Sequence, residues 1–228
     1  MDRPAGLAQV GFVAQDHPLY RGFTVGDMLH YGRALNPGWD QRYAEQRMDQ
    51  LGISLRNRAG KLSGGQQAQL ALTLALAKRP RLLVLDEPVA SLDPLGRRDF
   101  MRALVDSVAS TDLTVLLSSH VVAELERVCD HLVLLAGGRV RLAGAIDDLL
   151  GGHRIVVAAP DHEPTSGDGV IARTPAAGHT DLLIRTDAHV AIDPRWPTHP
   201  VALEELVLAY LESSVPADRA ASQGTGRG

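Results

Sequence analysis

Short apolar runs alternate with stretches of helical periodicity along the first 150 residues of the chain. Gly11–Ala14 is apolar and ends at Gln15, the pattern of a buried strand that delivers a polar residue at its end. Thr24-x-x-Asp27 reads as a capping box, with Val25, Met28, Leu29 and Leu35 on one face of the helix behind it. Asn36-Pro37-Gly38 breaks that helix. Asp40 can cap the next one, whose Ala44, Met48 and Leu51 recur at helical spacing before Gly52 closes it. Gln66–Lys78 is nearly all Ala, Leu and Gln. Its leucines alternate, but length and propensity favour a buried helix over a strand.

Three further apolar runs, Leu82–Leu85, Leu113–Leu117 and His131–Leu135, are separated by helical stretches. Strands of that kind indicate a parallel sheet covered on both faces and an α/β fold. Gly137-Gly138 predicts a hairpin turn into Arg139–Ala143. From about Gly151 the character changes. Arg154–Ala159, Val170–Arg173 and Asp181–Arg185 read as short strands, and Leu203, Leu206, Val207 and Tyr210 line one face of a final helix. Residues 151–212 are therefore expected to form a small α+β appendage, and 213–228 a disordered tail.

Composition narrows the function classes. Hydrophobic residues make up 45% and charged residues 22%, the balance of a globular protein. A net charge of −4 and 4% aromatics give no reason to expect nucleic acid as a partner. The single Cys129 reads as a small buried apolar residue and suits a reducing compartment. No run reaches the roughly 18–20 apolar residues needed to cross a bilayer, and Met1–Gly6 has no apolar leader. Any membrane role is expected to be peripheral, through another protein.

The chemistry-bearing stretch begins at Leu62-Ser63-Gly64-Gly65-Gln66. Paired glycines let backbone N–H groups approach a ligand, and the following helix points its positive end at them, an arrangement that favours phosphate. Twenty residues after Gln66 comes Asp86-Glu87, ending a buried strand. Carboxylates at that edge of a parallel sheet face the ligand crevice; one can hold Mg²⁺ and the next can deprotonate a water. Ser91-Leu92-Asp93-Pro94 then turns into a helix, and Leu116-Leu117-Ser118-Ser119 ends in His120.

In order and spacing these elements resemble the signature, Walker B strand, D-loop and switch histidine of ABC transporter ATP-binding subunits, with a Q-loop at Gln15. The resemblance covers about residues 8–150. It implies a P-loop NTPase (RecA-like) core over residues 1–150 with a helical subdomain at about 16–75, binding ATP and Mg²⁺. It also implies two cassettes paired head to tail and a separate transmembrane permease. Carried over, Gln15 would touch Mg²⁺ and the attacking water, Asp86 would serve Mg²⁺, and Glu87 would be the catalytic base. His120 would bind the γ-phosphate and Asp93 would bridge the dimer. Ser63, Gly64, Gly65 and Gln66 would hold the nucleotide of the opposite subunit.

One departure is large. Gly-x-x-x-x-Gly-Lys-Ser/Thr should precede Gln15, and the residues before Gln15 contain neither it nor an adenine-stacking aromatic. Gly60-Lys61 lacks the earlier glycine and is followed by Leu62, so Lys61 reads as a solvated lysine. A late start codon or a fragment is the expected cause; a non-hydrolysing remnant that lends its signature to an intact partner is the alternative. The stretch Asp16–Asp40 and the ending Leu203–Leu211 resemble bacterial ABC-2-type exporter ATPases, so export is the expected direction.

Overall fold

The computed structural model describes residues 3–160, 169–188 and 193–213. The tail after Ser213, expected to be disordered, lies outside them. The chain divides into two compact units between His120 and Val121.

In the first unit, α1 (Arg3–Ala8) precedes β1 (Val10–Val13), α2 (Val25–Leu35), α3 (Gln41–Gln50), α4 (Gly64–Ala77), β2 (Leu82–Asp86), α5 (Pro94–Ser110) and β3 (Thr114–Ser118). The expected caps are in place. Thr24 and Asp27 form the capping box of α2, and the Asp40 carboxylate accepts from the Tyr43 N–H at the start of α3. Strands β1, β2 and β3 pair in parallel, in that order, with Val13 beside Leu85 and Asp86 beside Ser118.

Helix α4 explains why its leucines alternate without forming a strand. Ala68, Leu72, Ala75 and Leu76 pack with Val13, Leu83 and Leu85 of the sheet and with Phe100 and Leu104 of α5. Leu70 and Ala77, with Leu74 beside them, face the other way into a second cluster with Val25, Leu29, Ala44 and Met48. A helix apolar on all sides is one buried on all sides. It thereby fixes the helical layer to the sheet. Fully burying a side chain such as Leu72 contributes about 1.5–3 kcal/mol.

The expectation of a sheet covered on both faces is corrected. Side chains alternate across a strand, and only the Val13, Leu83 and Leu85 face meets α4 and α5. Phe12, Val84 and Leu116 stand side by side in register on the other face, with Phe12 60% and Leu116 58% exposed. Leu35, expected on the buried face of α2, is 61% exposed because it is the last residue of that helix.

Between α2 and α3, the Trp39 ring lies against Gly32, and its Nε1–H donates to the Gln41 amide oxygen at 2.7 Å. A Cβ on Gly32 would come within 2.4 Å of Trp39 Cη2. Gly32→Ala would gain up to about 1 kcal/mol of helix propensity, but overpacking costs roughly 1–3 kcal/mol. The expected result is a net loss of about 1 kcal/mol, read as a thermal midpoint about 2–4 °C lower.

The second unit holds α6 (Val122–Leu125), β4 (His131–Ala136), β5 (Arg139–Ala145), α7 (Ile146–Gly151), β6 (His153–Ala158), β7 (Val170–Ala176), β8 (His179–Arg185), β9 (Thr198–His199) and α8 (Leu203–Glu212). The run at His131 does not extend the parallel ladder. It pairs antiparallel with β5 across Gly137-Gly138, both at positive φ (58° and 72°), as the hairpin turn requires. The C-terminal sheet is antiparallel in the order β7-β8-β6-β9. Val156, Leu182 and Ile184 form its core. Buried His153 ties this unit together. Its Nδ1–H donates to the Leu149 carbonyl at 2.7 Å, leaving Nε2 to accept from the Tyr210 hydroxyl at 2.9 Å. Cys129, expected to be buried, is half-buried, and burial raises its thiol pKa.

Candidate functional site

The parallel register carries Asp86 and Ser118 to the same end of β2 and β3. There the Ser118 hydroxyl donates to Asp86 Oδ1 at 2.9 Å and accepts the Glu87 N–H at 2.9 Å. Sequence reasoning missed Ser118. Its only signal was a second hydroxyl ahead of His120, and its partners depend on a strand register no single sequence displays.

The chain leaves β2 abruptly. Glu87 has φ +40°, a left-handed conformation that a non-glycine residue adopts at a cost of about 1–3 kcal/mol, and such residues cluster at functional sites. The turn closes with the Ala90 N–H donating to the Glu87 carbonyl at 3.1 Å. Glu87 Oε2 meets two groups from distant segments: His120 Nδ1 at 3.1 Å and the Gln15 amide nitrogen at 3.4 Å. Gln15, Asp86 and His120 are exposed and Glu87 is half-buried, so the cluster opens to solvent. The structure thus brings together Gln15, Asp86, Glu87 and His120, residues spread over a hundred positions of sequence.

The loop carrying Gln15 is held at a further point. His17 is 6% exposed with φ +43°, and its Nε2–H donates to the Pro88 carbonyl at 3.1 Å. Burial lowers its pKa below the usual histidine value, so the ring is neutral at pH 7.

The glycine-rich stretch is arranged differently from the loop expected before a helix. Gly64 and Gly65 are the first residues of α4, because Ser63 caps it. The Ser63 hydroxyl accepts the Gln66 N–H at 3.2 Å, and the Gln66 amide oxygen accepts the Ser63 N–H at 3.0 Å. First-turn N–H groups have no intrahelical acceptor, and a Cβ on Gly64 or Gly65 would meet nothing within 4 Å. This helix end is open to an anion. The hydrogen bonds of Ser63 and Gln66 stay within it and do not reach the Glu87 cluster. Asp93 has a structural task, capping α5 through the Gly96 N–H at 2.6 Å.

Among the described residues no group of three or more His, Cys, Asp or Glu could hold a metal ion. Asp86 and Gln15 offer one carboxylate and one amide oxygen. Mg²⁺ that keeps its waters and arrives on phosphates takes such a set, whereas an all-protein cage needs more oxygens.

Known proteins similar to this chain are ATP-binding subunits of ABC transporters. The sequence profile described as ABC transporter matches residues 2–90. The chain is 36% identical over 187 residues to the molybdenum import ATP-binding protein ModC of Rhodobacter capsulatus, covering 79% of this chain and 51% of that protein. It is 30% identical over 138 residues to the ABC transporter ATP-binding protein YtrB of Bacillus subtilis strain 168, covering 60% of this chain and 47% of the relative. The chain spans about half the length of the curated relatives it matches. Among solved structures, an ATP-binding subunit of an ABC transporter aligns with TM-score 0.57 and 26% identity, over 65% of this chain and 63% of that one. The fold is the P-loop NTPase core of ABC ATPases, and the chain is related to the ATP-binding subunits of ABC transporters.

Proposed function

We propose that this chain is the nucleotide-handling part of an ABC transporter ATPase, which powers transport by hydrolysing Mg²⁺-ATP. The observation that carries the reading is the meeting of Gln15 and His120 on Glu87, beside an Asp86 held at the strand end. Glu87 is the general base for the attacking water, and its partners orient it. Asp86, with Gln15, holds Mg²⁺ brought by the nucleotide, and that ion supplies charge neutralisation on the phosphates when bound. His120 faces the γ-phosphate. Ser63, Gly64, Gly65 and Gln66 serve the nucleotide of a second ATPase subunit, with Asp93 at the seam between the two.

The ATPase portion comprises residues 1–150, with the helical subdomain at 16–75. Residues 151–212 form an appendage for dimer contact or regulation. No helix among the described residues is long and apolar enough to cross a membrane, and the chain acts at the cytoplasmic face through a separate permease. Export, the direction expected from Asp16–Asp40 and the ending Leu203–Leu211, has no support from the relative named for molybdenum import. The direction is the permease's to set. The non-hydrolysing alternative is not favoured, because Glu87 keeps contacts with both Gln15 and His120, which a remnant that only lends its signature has no need of.

Asp86→Asn tests the reading. In the assembled transporter it should weaken Mg²⁺-dependent ATP binding and lower hydrolysis together, since the amide offers Mg²⁺ no charge. Hydrolysis at the parent rate across a Mg²⁺ titration would remove Asp86 from the site. Ser118→Ala should behave differently. Both its hydrogen bonds are exposed, so the stability loss should stay at or below about 1 kcal/mol. Turnover should still fall roughly tenfold as Asp86 and Glu87 lose their common tether. Thermal melts and steady-state rates on the same sample separate the two effects.

A further inference from the structure

Beyond Val13 and Leu85 the β1–β2 ladder ends, and the loop carrying Gln15 and the turn carrying Glu87 leave the sheet separately. Two hydrogen bonds join them among the described residues. One is the long, exposed contact of Gln15 with Glu87 at 3.4 Å, and the other is His17 to the Pro88 carbonyl at 3.1 Å. The second is buried. A carbonyl oxygen only accepts, so His17 must carry its proton on Nε2. Pro88 has no N–H, so the turn presents only an acceptor at this point. Both fastened segments hold a non-glycine residue in the left-handed region, His17 at +43° and Glu87 at +40°. Such conformations persist only where surrounding contacts over-determine them.

We propose that His17 is a positioning residue for hydrolysis: its bond to Pro88 holds the Glu87 turn against the Gln15 loop, so that base and amide stay in reach of one water. This deepens the ATPase reading and rests on it. His17 touches no reacting atom. It acts through the backbone on the C-terminal side of Glu87, and movement of the Gln15 loop is passed to the base through the same bond.

Three substitutions in the assembled transporter test it, with ATP turnover, KM for ATP and thermal midpoint measured for each. In His17→Gln the amide nitrogen falls where Nε2 was, and the bond can be remade. In His17→Asn the amide reaches only the Nδ1 position, and in His17→Phe the ring stays without a donor. The expected result is a kcat lower by roughly tenfold in His17→Asn and His17→Phe, the size of one buried hydrogen bond. KM should be nearly unchanged and His17→Gln should stay close to the parent. If His17→Phe fails to fold, the Gln and Asn pair, alike in polarity, carries the comparison. Parent-level kcat in His17→Asn overturns the proposal. So does a His17→Gln that falls as far as His17→Asn, since shape rather than the donor would then matter. A parent transporter without ATP hydrolysis would overturn the ATPase reading and this proposal with it. That result is distinct from a hydrolysing parent matched by His17→Asn.

Discussion

In an ATPase subunit that carries the phosphate-binding loop ahead of Gln15, Glu87→Gln should stop turnover while ATP still binds, and should trap a dimer with nucleotide between its subunits. The amide keeps the shape of the side chain and can still meet His120 and Gln15, which contact Glu87 at 3.1 and 3.4 Å. It cannot accept a proton from the attacking water. Loss of a positioned general base costs roughly 10²–10⁴ in rate, or about 3–5 kcal/mol of transition-state stabilisation. Steady-state hydrolysis and size-exclusion chromatography with ATP and Mg²⁺ read the two effects independently. A Glu87→Gln protein that hydrolyses at the parent rate and stays monomeric would show that the base lies elsewhere. The left-handed backbone at Glu87 belongs to the same expectation, because φ +40° is tolerated where aiming the carboxylate matters.

In the same loop-bearing subunit, Ser63→Arg should leave ATP binding by its own subunit intact and prevent closure of the dimer. Two consequences of the substitution must be separated. Removing the hydroxyl breaks the reciprocal cap with Gln66, which costs about 1 kcal/mol of helix stability. The guanidinium also places a cation at the positive end of α4, where an anion is favoured, and fills the open space in front of Gly64 and Gly65. Ser63→Ala has the first effect only. In the Glu87→Gln background, Ser63→Ala should still give the ATP-dependent dimer by size exclusion, and Ser63→Arg should not. An ATP-dependent dimer that still forms with Ser63→Arg would remove Ser63 from the opposite subunit's nucleotide site.

Much of this was legible in the chain itself. The caps of α2 and α3 could be read because a side-chain oxygen and the N–H it satisfies lie three residues apart. The hairpin at Gly137-Gly138 was equally local, since its two positive φ angles are a property of glycine. Gln15, Asp86, Glu87 and His120 were singled out because each ends or follows an apolar run, where a parallel sheet places ligand-facing groups. The residues and their order were therefore determined by the sequence.

What the sequence could not determine were the partnerships between segments. That Ser118 ties Asp86 to Glu87 depends on Asp86 standing opposite Ser118 in the ladder, and that register is set by packing of the whole sheet on α4 and α5. His17 gave no sign of its bond to Pro88, because a buried histidine is explained only by the carbonyl it reaches. The run at His131 looked like one more parallel strand, because an apolar run has the same composition in either kind of ladder. Its pairing with β5 was decided by the two-residue turn that follows, which brings β5 back beside it. The same holds for Phe12 and Leu116. Alternation says that they share a face with Val84, and only the arrangement of α4 and α5 on the opposite side decides that this face stays exposed. Local chemistry is written within a few residues, whereas register and coverage follow from contacts between segments far apart in sequence.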